Sequence, residues 1–347
     1  MDTEEGSADD YVLRIVERAA ASKNITNKKC FACGGEPTNG SGEHVIPRWV
    51  QKRFELSNRK ITLINGTKLP YRQLTIPCCP ACNNGFLRDV ENTVLEFFEK
   101  STKPNSITRF ACGRWLAKIL LGTLVKESAL PFDRRDPKRG SIVQSDFVED
   151  FRHLHFIIQS ARKRTVFECL HSVHPFTLFL YRIQEDEGCE NFDLTTNLFG
   201  QSIAVRIGRI GLIFVNDGGL QHEAGPKGPF GLEWRKLHPV QFSEVAAMVH
   251  YKATLRAATH SYMSIETPRE IVIRQMSLRP YSNLRLPDGS LRIFRDWEDI
   301  ECAGFIERYR QVDWGQVFDP ATGMFATTLR DRNGRLPSPK RFIHRNG

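Results

Sequence analysis

Two Cys-x-x-Cys pairs constrain the fold of this chain more than any other feature of its sequence. They are Cys30 with Cys33 and Cys79 with Cys82, and both lie in the first quarter of the 347 residues. Two such pairs supply the four thiolates of a tetrahedral structural zinc site, which leaves no coordination position open for chemistry. In a reducing compartment, paired Cys-x-x-Cys units indicate metal binding before disulfides. The spacing therefore predicts a zinc site that joins two segments far apart in the sequence.

The second pair can be assigned in two ways, because Cys78 directly precedes it. Three residues separate Cys78 from Cys82, so the two-residue spacing of the first pair favours Cys79 as the ligand. Buried free cysteines without a metal are the alternative to a zinc site. If zinc binds, its apparent binding free energy, on the order of 10 kcal/mol or more, contributes directly to folding.

The net charge and the polarity of the chain limit its partners and its location. A formal net charge of +9 is compatible with a polyanionic partner but does not by itself establish one. No stretch reaches the roughly 18 apolar residues that span a bilayer. The acidic start MDTEEGSADD lacks the basic and apolar regions of a signal peptide. We therefore expect a cytoplasmic protein that does not insert into a membrane.

The hydrophobic pattern predicts an α+β chain in three parts. Residues 1–26 form a tail with a short helix at 10–22, residues 27–132 hold the cysteine pairs and following helices, and residues 140–347 form a C-terminal α+β domain with a basic tail. Helical spacing predicts helices at 87–100, 110–127 and from Ser243 to Tyr262, with Ser243 as the N-cap. Alternation predicts strands of an antiparallel sheet at 153–159, 165–170, 176–183, 202–207 and 210–216.

A histidine motif lies between the cysteine pairs, and an amide-rich turn follows the second pair. The motif is Glu43-His44-Val45-Ile46-Pro47, and Asn83-Asn84-Gly85 come directly after Cys82. The order Cys-x-x-Cys, acid-His-apolar-apolar-Pro and Cys-x-x-Cys-Asn resembles the HNH endonucleases of the ββα-metal fold, over about residues 27–127. The run CNNGFLRDVE is similar to a bacterial branch of that family. The resemblance implies a zinc-stapled ββα-metal module ahead of the mixed α+β C-terminal domain.

The resemblance also implies roles for residues of the motif in phosphodiester hydrolysis. Glu43 and Asn83 would hold one Mg²⁺ or Mn²⁺ and His44 would be the general base, with Asn84 the second choice for the helix ligand. These residue types suit the chemistry, because a neutral imidazole can accept a proton at cellular pH and a hard cation takes carboxylate and amide oxygens. Neighbouring strand residues point to opposite sides of a strand, so the strand must end or bulge here for both to reach one site.

One departure from the family concerns the orientation of the base. The family usually has an Asn before the second cysteine pair, whereas the stretch LPYRQLTIPCC offers only Gln73. Three alternatives follow: Gln73 orients His44, a backbone carbonyl orients it, or the base is held less well. Arg48, Lys52 and Arg53 directly follow the motif and are the candidate nucleic-acid contacts.

The resemblance implies an endonuclease that cuts nucleic acid, with DNA favoured, in bacterial or phage restriction or defence. The C-terminal domain would bind substrate, bind a protein partner or regulate the module. The alternative is a zinc-dependent nucleic-acid-binding or scaffold protein whose HNH-like module is inactive. Two further points stay open: Glu91 is a helix-surface acid that could support the site, and His153 and His155 are expected on the face of a strand.

Overall fold

The computed structural model describes residues 28–37, 42–143, 151–168, 175–217, 220, 228–256, 262–267, 269–275, 294–331 and 333–342. The predicted helix at 10–22 lies outside these residues. The described chain is mixed α+β, as predicted, and divides into two compact units. The first comprises Met1–Phe97, Pro104–Glu168 and Tyr262–Gln275; the second comprises Phe98–Lys103, Cys169–Ser261 and Met276–Gly347. None of the described helices has the length and apolar character needed to cross a membrane.

In the first unit, a pair of short antiparallel strands frames the histidine motif. Strand β1 (Gly42–His44) pairs with β4 (Thr75–Pro77). The chain between them forms a short helix and a hairpin: α1 (Arg48–Arg53), β2 (Lys60–Thr62) and β3 (Lys68–Pro70). β1 ends at His44, as expected, and Pro47 stands at the N-cap of α1.

Helical structure follows β4 directly. A single turn, α2 (Pro80–Cys82), continues through the wider π-helical turn Asn83–Leu87 into α3 (Arg88–Lys100). Gly85 interrupts this run with non-helical dihedral angles. Two paired strands followed by a helix agree with the ββα order that the resemblance implies, and the identity of the module as HNH stays a prediction.

The long helix α4 (Ser106–Ser128) is the most buried element of the first unit. Asn105 caps it, because its side chain accepts a hydrogen bond from the Thr108 backbone N–H. The predicted helix at 110–127 is therefore present and begins one turn earlier. At Gly122 the helix approaches the strand pair so closely that an added Cβ would lie 3.0 Å from Val45 Cγ2. Residues one turn before Gly122 consequently face β1 as well.

The segment 153–159, predicted as a strand, is a helix. This helix, α5 (Arg152–Gln159), buries Leu154, Ile157 and Ile158, whose spacing of three and four is helical rather than alternating. It packs on α4, where Arg114 Nε donates to Ser160 Oγ at 2.8 Å. The strand prediction was wrong because the short run HLHFIIQ satisfies both patterns, and only packing on α4 selects the helix.

A charged segment, DRRDPKRGS at 133–141, follows the predicted module of residues 27–132, and the first unit extends past it. Strand β5 (Thr165–Glu168), which lies after it, joins a three-stranded sheet of the first unit, in the order β11 (Tyr262–Glu266), β12 (Ile271–Gln275), β5. β12 and β5 are parallel, and β11 and β12 are antiparallel. Together with α5, this sheet makes the first unit larger than the predicted module of residues 27–132.

A five-stranded sheet forms the centre of the second unit. Its order is β10-β6-β9-β8-β7, and every neighbouring pair is antiparallel except β10 with β6. The strands are β6 (Thr177–Ile183), β7 (Phe192–Asn197), β8 (Ser202–Ile207), β9 (Ile210–Val215) and β10 (Lys236–Leu237). The predicted strands at 176–183, 202–207 and 210–216 are confirmed. β8 and β9 are buried on both faces, and β9 is correspondingly a continuous apolar run.

Helix α6 (Pro239–Thr254) packs on this sheet. At Gly211 in β9, an added Cβ would overlap the Phe242 ring, so the close approach requires glycine. The N-cap is His238, which accepts from the Val240 N–H through Nδ1 at 3.2 Å, and the predicted Ser243 cap is wrong. Ser243 instead donates to a carbonyl one turn earlier, at 3.1 Å. Pro239 occupies the first helical position, where proline favours the start of a helix.

Short elements complete the second unit. They are α7 (Asp299–Arg310), α8 (Trp314–Val317), β13 (Phe318–Asp319) and β14 (Met324–Phe325), with 3-10 turns at Gly228–Leu232 and Pro339–Phe342.

Within α6, His250 is fully buried between Thr195 Oγ1 at 3.1 Å and Ser202 Oγ at 2.8 Å. Burial lowers the pKa of His250 to about 3, so this histidine is neutral at cellular pH.

Candidate metal centre and adjoining histidine site

The four cysteines predicted from their spacing come together in the first unit. The sulfur atoms of Cys30, Cys33, Cys79 and Cys82 all lie within 4.8 Å of one another. The sulfurs of Cys33 and Cys79 are 3.7 Å apart. Zn–S bonds of about 2.3 Å in a tetrahedron place two sulfurs about 3.8 Å apart, so the cluster fits a zinc ion. The predicted set of structural ligands can therefore hold a metal such as zinc.

The backbone around the first pair forms the tight turn that such a site requires. Cys30 N donates to Gly35 O and Gly34 N donates to Cys30 O, both at 2.8 Å. Gly34 has a φ of 73°, a conformation that glycine adopts without strain. Phe31 N donates to Pro77 O at 3.0 Å, which joins this turn to the end of β4 just before the second pair.

Cys78 borders the cluster without belonging to the set of four. Its fully buried sulfur lies 3.9 Å from the sulfur of Cys30. Hydrogen bonds from the thiols of Cys78 and Cys82 hold the pKa of Cys30 well below its usual range, which favours the metal-binding thiolate. The preference for Cys79 over Cys78 agrees with the observed grouping.

Helix α5 holds the first cysteine turn through one carbonyl oxygen. Ala32 lies between the two cysteines and is fully buried, and its oxygen accepts from Gln159 Nε2 and from His155 Nε2 at 2.9 Å. A carbonyl can only accept, so the proton of neutral His155 lies on Nε2. Burial lowers the pKa of His155 and keeps it neutral. Sequence reasoning missed this contact, although four-residue spacing puts His155 and Gln159 on one helix face.

His44 stands at the end of β1 beside a buried amide. Gln51 of α1 places Nε2 at 3.4 Å from His44 Nδ1, and the same nitrogen donates to Ile46 O at 2.7 Å. The bond to Ile46 fixes the amide with nitrogen toward the ring, so Nδ1 is an acceptor and neutral His44 carries its proton on Nε2. The orienting amide is therefore Gln51, whereas Gln73, named from the sequence, is exposed at the end of the 3-10 turn Tyr71–Gln73.

Electrostatics keep His44 neutral. Burial is the largest effect that lowers its pKa, and the nearby charges of Arg48 and Lys118 lower it further, against an opposing effect of Glu91. A His44 that stays deprotonated at neutral pH can accept a proton from another group. All three cationic residues predicted to contact nucleic acid are exposed on α1, namely Arg48, Lys52 and Arg53.

Glu43 makes a buried ion pair that the sequence did not predict. Lys118 of α4 binds the carboxylates of both Glu43 and Glu91 through Nζ, with side-chain exposures of 2%, 9% and 22% for Lys118, Glu43 and Glu91. Its ammonium also lies 3.5 Å from His44 O. Burial opposes the charge on Lys118, but the attraction of the two carboxylates outweighs it and raises the pKa of Lys118. Burial raises the pKa of Glu91 despite this pairing.

The structure thus brings Glu43 to Lys118 and Glu91, and His44 to Gln51. Asn83 is half-buried directly after the cysteine cluster, and its N–H donates to Cys79 O at 3.0 Å. Asn84 is exposed. The signal for Lys118 was a single charge inside the apolar helical run WLAKILLG. Its partners come from two other elements and could not be read from spacing.

A second group of possible metal ligands lies in the second unit, formed by Asp186, Cys189 and His238. His238 Nε2 lies 2.8 Å from Asp186 Oδ2, while Nδ1 accepts from the Val240 N–H. Because Nδ1 accepts from the Val240 N–H, Nε2 is the nitrogen that donates to Asp186. In this arrangement His238 caps α6.

Known proteins offer no relative from which a function could be inferred. No family model, no curated protein and no solved structure matches the chain. The geometry around β1, α1, α4 and the cysteine cluster is therefore the basis for assigning a function to the first unit.

Proposed function

We propose that the first unit is an HNH-type endonuclease that hydrolyses phosphodiester bonds, with DNA as the favoured substrate. The observation that carries the proposal is His44: a neutral histidine at a strand end, with its ring oriented by Gln51 and exposed Arg48 nearby. The cysteine cluster supports it, because a closed zinc site would fix β4 and α2 around the histidine. The proposal includes a cytoplasmic location and a role in bacterial or phage restriction or defence, which the sequence resemblance implies.

His44 is assigned the role of general base. In the tautomer set by Gln51 the lone pair of His44 is on Nδ1, and this nitrogen is proposed to accept a proton from a water molecule beside the ring. His44 takes a proton from that water, and the resulting hydroxide attacks the phosphorus. The bond from phosphorus to the 3′ oxygen breaks, and this oxygen takes a proton from solvent, which leaves the 5′-phosphate and 3′-hydroxyl ends that the resemblance implies. Arg48, Lys52 and Arg53 bind the flanking phosphates as exposed cations of α1.

Glu43 and Asn83 remain the proposed ligands of a divalent cation. Carboxylate and amide oxygens fit Mg²⁺ or Mn²⁺ by type, but the Glu43 carboxylate is already bound by Lys118. When bound, such a cation would neutralise charge that develops on the phosphate oxygens. Lys118 therefore bears directly on whether the site is active.

Plasmid cleavage tests the proposal. Purified protein with bound zinc is incubated with supercoiled DNA and either Mg²⁺ or Mn²⁺, beside His44→Ala and the exposed control Gln73→Ala. We expect His44→Ala to lose about 10²- to 10⁴-fold in cleavage rate, as for loss of a general base. Gln73→Ala should cleave like the wild type. Equal cleavage by wild type and His44→Ala across both metals would remove the nuclease assignment.

The ion pair of Glu43 favours a second candidate, a module that does not cleave. With Glu43 bound to Lys118, the first unit would act as a zinc-dependent nucleic-acid-binding or scaffold module. A nucleic-acid-binding module predicts affinity for DNA or RNA that falls steeply with salt, without cleavage. A scaffold predicts neither activity. In either case the second unit is proposed to bind substrate, bind a partner protein or regulate the module.

A further inference from the structure

The Lys118 ion pairs join three elements at the proposed cation site. Glu43 comes from β1, Glu91 from α3 and Lys118 from α4. Gly122, one turn after Lys118, lets α4 approach β1 closely, and this approach directs the Lys118 side chain to Glu43. The Lys118 side chain is only 2% exposed, and a lysine buried this deeply must be paired with opposite charge for the fold to be stable.

We propose that Lys118 and a divalent cation compete for the Glu43 carboxylate, so that Lys118 sets the affinity of the site for metal. This inference rests on the proposed function, since it concerns the same carboxylate. One oxygen of Glu43 faces the ammonium, and the side chain is nearly closed to solvent. A cation that binds that oxygen is repelled by the ammonium, because the two positive charges would lie at contact distance in a site nearly closed to solvent, so cation binding favours displacement of Lys118.

Charge balance gives the expected direction of the competition. Two carboxylates and one ammonium leave a net charge of −1 on this cluster. Removal of Lys118 would leave the buried carboxylate of Glu43 and the partly buried carboxylate of Glu91 with no positive charge. Uncompensated buried charges are strongly destabilising, and a divalent cation would relieve this cost by binding both carboxylates. Replacing Lys118 by an apolar residue of similar length should therefore tighten cation binding.

Mn²⁺ binding to the zinc-loaded full chain, measured by electron paramagnetic resonance of the free ion, tests the proposal without DNA. The variant is Lys118→Met, and the matched control is Lys126→Met, which removes a charge from the same helix where Lys126 Nζ donates to Thr75 O at 3.2 Å. We expect Lys118→Met to bind Mn²⁺ about tenfold tighter than wild type or more, and Lys126→Met to match wild type within about twofold. The gain should disappear in Lys118→Met/Glu43→Gln.

Two results would overturn the competition. One is a Lys118→Met variant that binds Mn²⁺ no tighter than wild type, and the other is a gain that survives Glu43→Gln. Thermal unfolding covers the case in which Lys118→Met is unstable, since Mn²⁺ should then raise its midpoint more than that of the wild type. A variant that stays unfolded at saturating Mn²⁺ also overturns the proposal.

The nuclease assignment is judged by a different measurement. Tight Mn²⁺ binding by Lys118→Met together with no plasmid cleavage by any variant would keep the competition and remove the nuclease. Cleavage by wild type with unchanged Mn²⁺ affinity in Lys118→Met would do the reverse.

Discussion

Loss of the two α5 side chains that bind the Ala32 carbonyl should weaken zinc retention more than additively. His155 and Gln159 both donate to this oxygen. Ala32 itself lies between two cysteines of the cluster and is 0% exposed. We consider His155→Leu and Gln159→Leu, which keep apolar bulk in the buried site but remove the donors. Each variant alone leaves the carbonyl with one side-chain donor.

The magnitudes follow from the hydrogen-bond inventory of that oxygen. Loss of one donor should cost about 1 kcal/mol, the usual net worth of a hydrogen bond. Loss of both leaves a buried carbonyl without a side-chain donor, which adds about 1–3 kcal/mol of desolvation cost. The double variant should therefore lose at least about 3 kcal/mol, or about 1 kcal/mol more than the sum of the single losses. Coupled fully to zinc binding, about 3 kcal/mol corresponds to roughly a hundredfold weaker zinc dissociation constant.

Competition with a chromophoric zinc chelator measures this effect. Zinc transfer is followed for the wild type, both single variants, the double variant and the control Arg162→Leu, an exposed position just after α5. We expect about fivefold weaker retention in each single variant and about a hundredfold in the double variant. A strictly additive double variant, or single variants that match Arg162→Leu, would refute the assignment of α5 as a support of the cysteine site.

Three further predictions concern other parts of the structure. Gln51→Ala should lower plasmid cleavage at least about tenfold because the histidine at the end of β1 loses its orienting amide, whereas exposed Gln73→Ala should not; equal effects would contradict the role of Gln51. His250→Gln should flatten the pH dependence of stability. Burial lowers the pKa of His250 to about 3, so its contribution is complete above about pH 6.5 and is lost as the pH falls toward 3, by about 1.4 kcal/mol per unit; urea unfolding between pH 7 and 4 measures the slope. Gly211→Ala should destabilise the second unit by about 1–3 kcal/mol, because its Cβ overlaps the Phe242 ring, and a thermal midpoint equal to wild type would contradict this packing.

Local spacing predicted the parts of the site that depend on neighbours in the sequence. The four cysteines group as their spacing indicates, and β1 ends at His44 ahead of Pro47. Both features depend on short-range geometry, namely two-residue spacing and a strand stop. The strands β6, β8 and β9 were predicted for the same reason, because apolar runs of this length with turns between them allow few other structures.

Long-range packing decided what the sequence could not. The run HLHFIIQ fits a strand and a helix equally well, and contact with α4 selects the helix α5. The order of residues in HNH endonucleases favoured Gln73 as the amide that orients His44. In the structure, helix α1 follows β1 and brings Gln51 to the ring instead. An amide can reach a histidine from any element that folds beside it, so sequence position gives only a weak prediction.

The cluster around Lys118 connects these two kinds of information. A lysine inside an apolar helix conflicts with its surroundings unless tertiary structure supplies carboxylates, and such local conflicts concentrate at sites that do more than stabilise the fold. Here the conflict is resolved by Glu43 and Glu91, and Glu43 is the residue proposed as a ligand of the divalent cation. Replacement of all three charged groups by apolar residues would often be neutral or stabilising, so stability alone does not require this cluster. Removal of Lys118 alone would instead leave both carboxylates without a positive partner, and this contrast is the reason we propose the ammonium as a control on what Glu43 can bind.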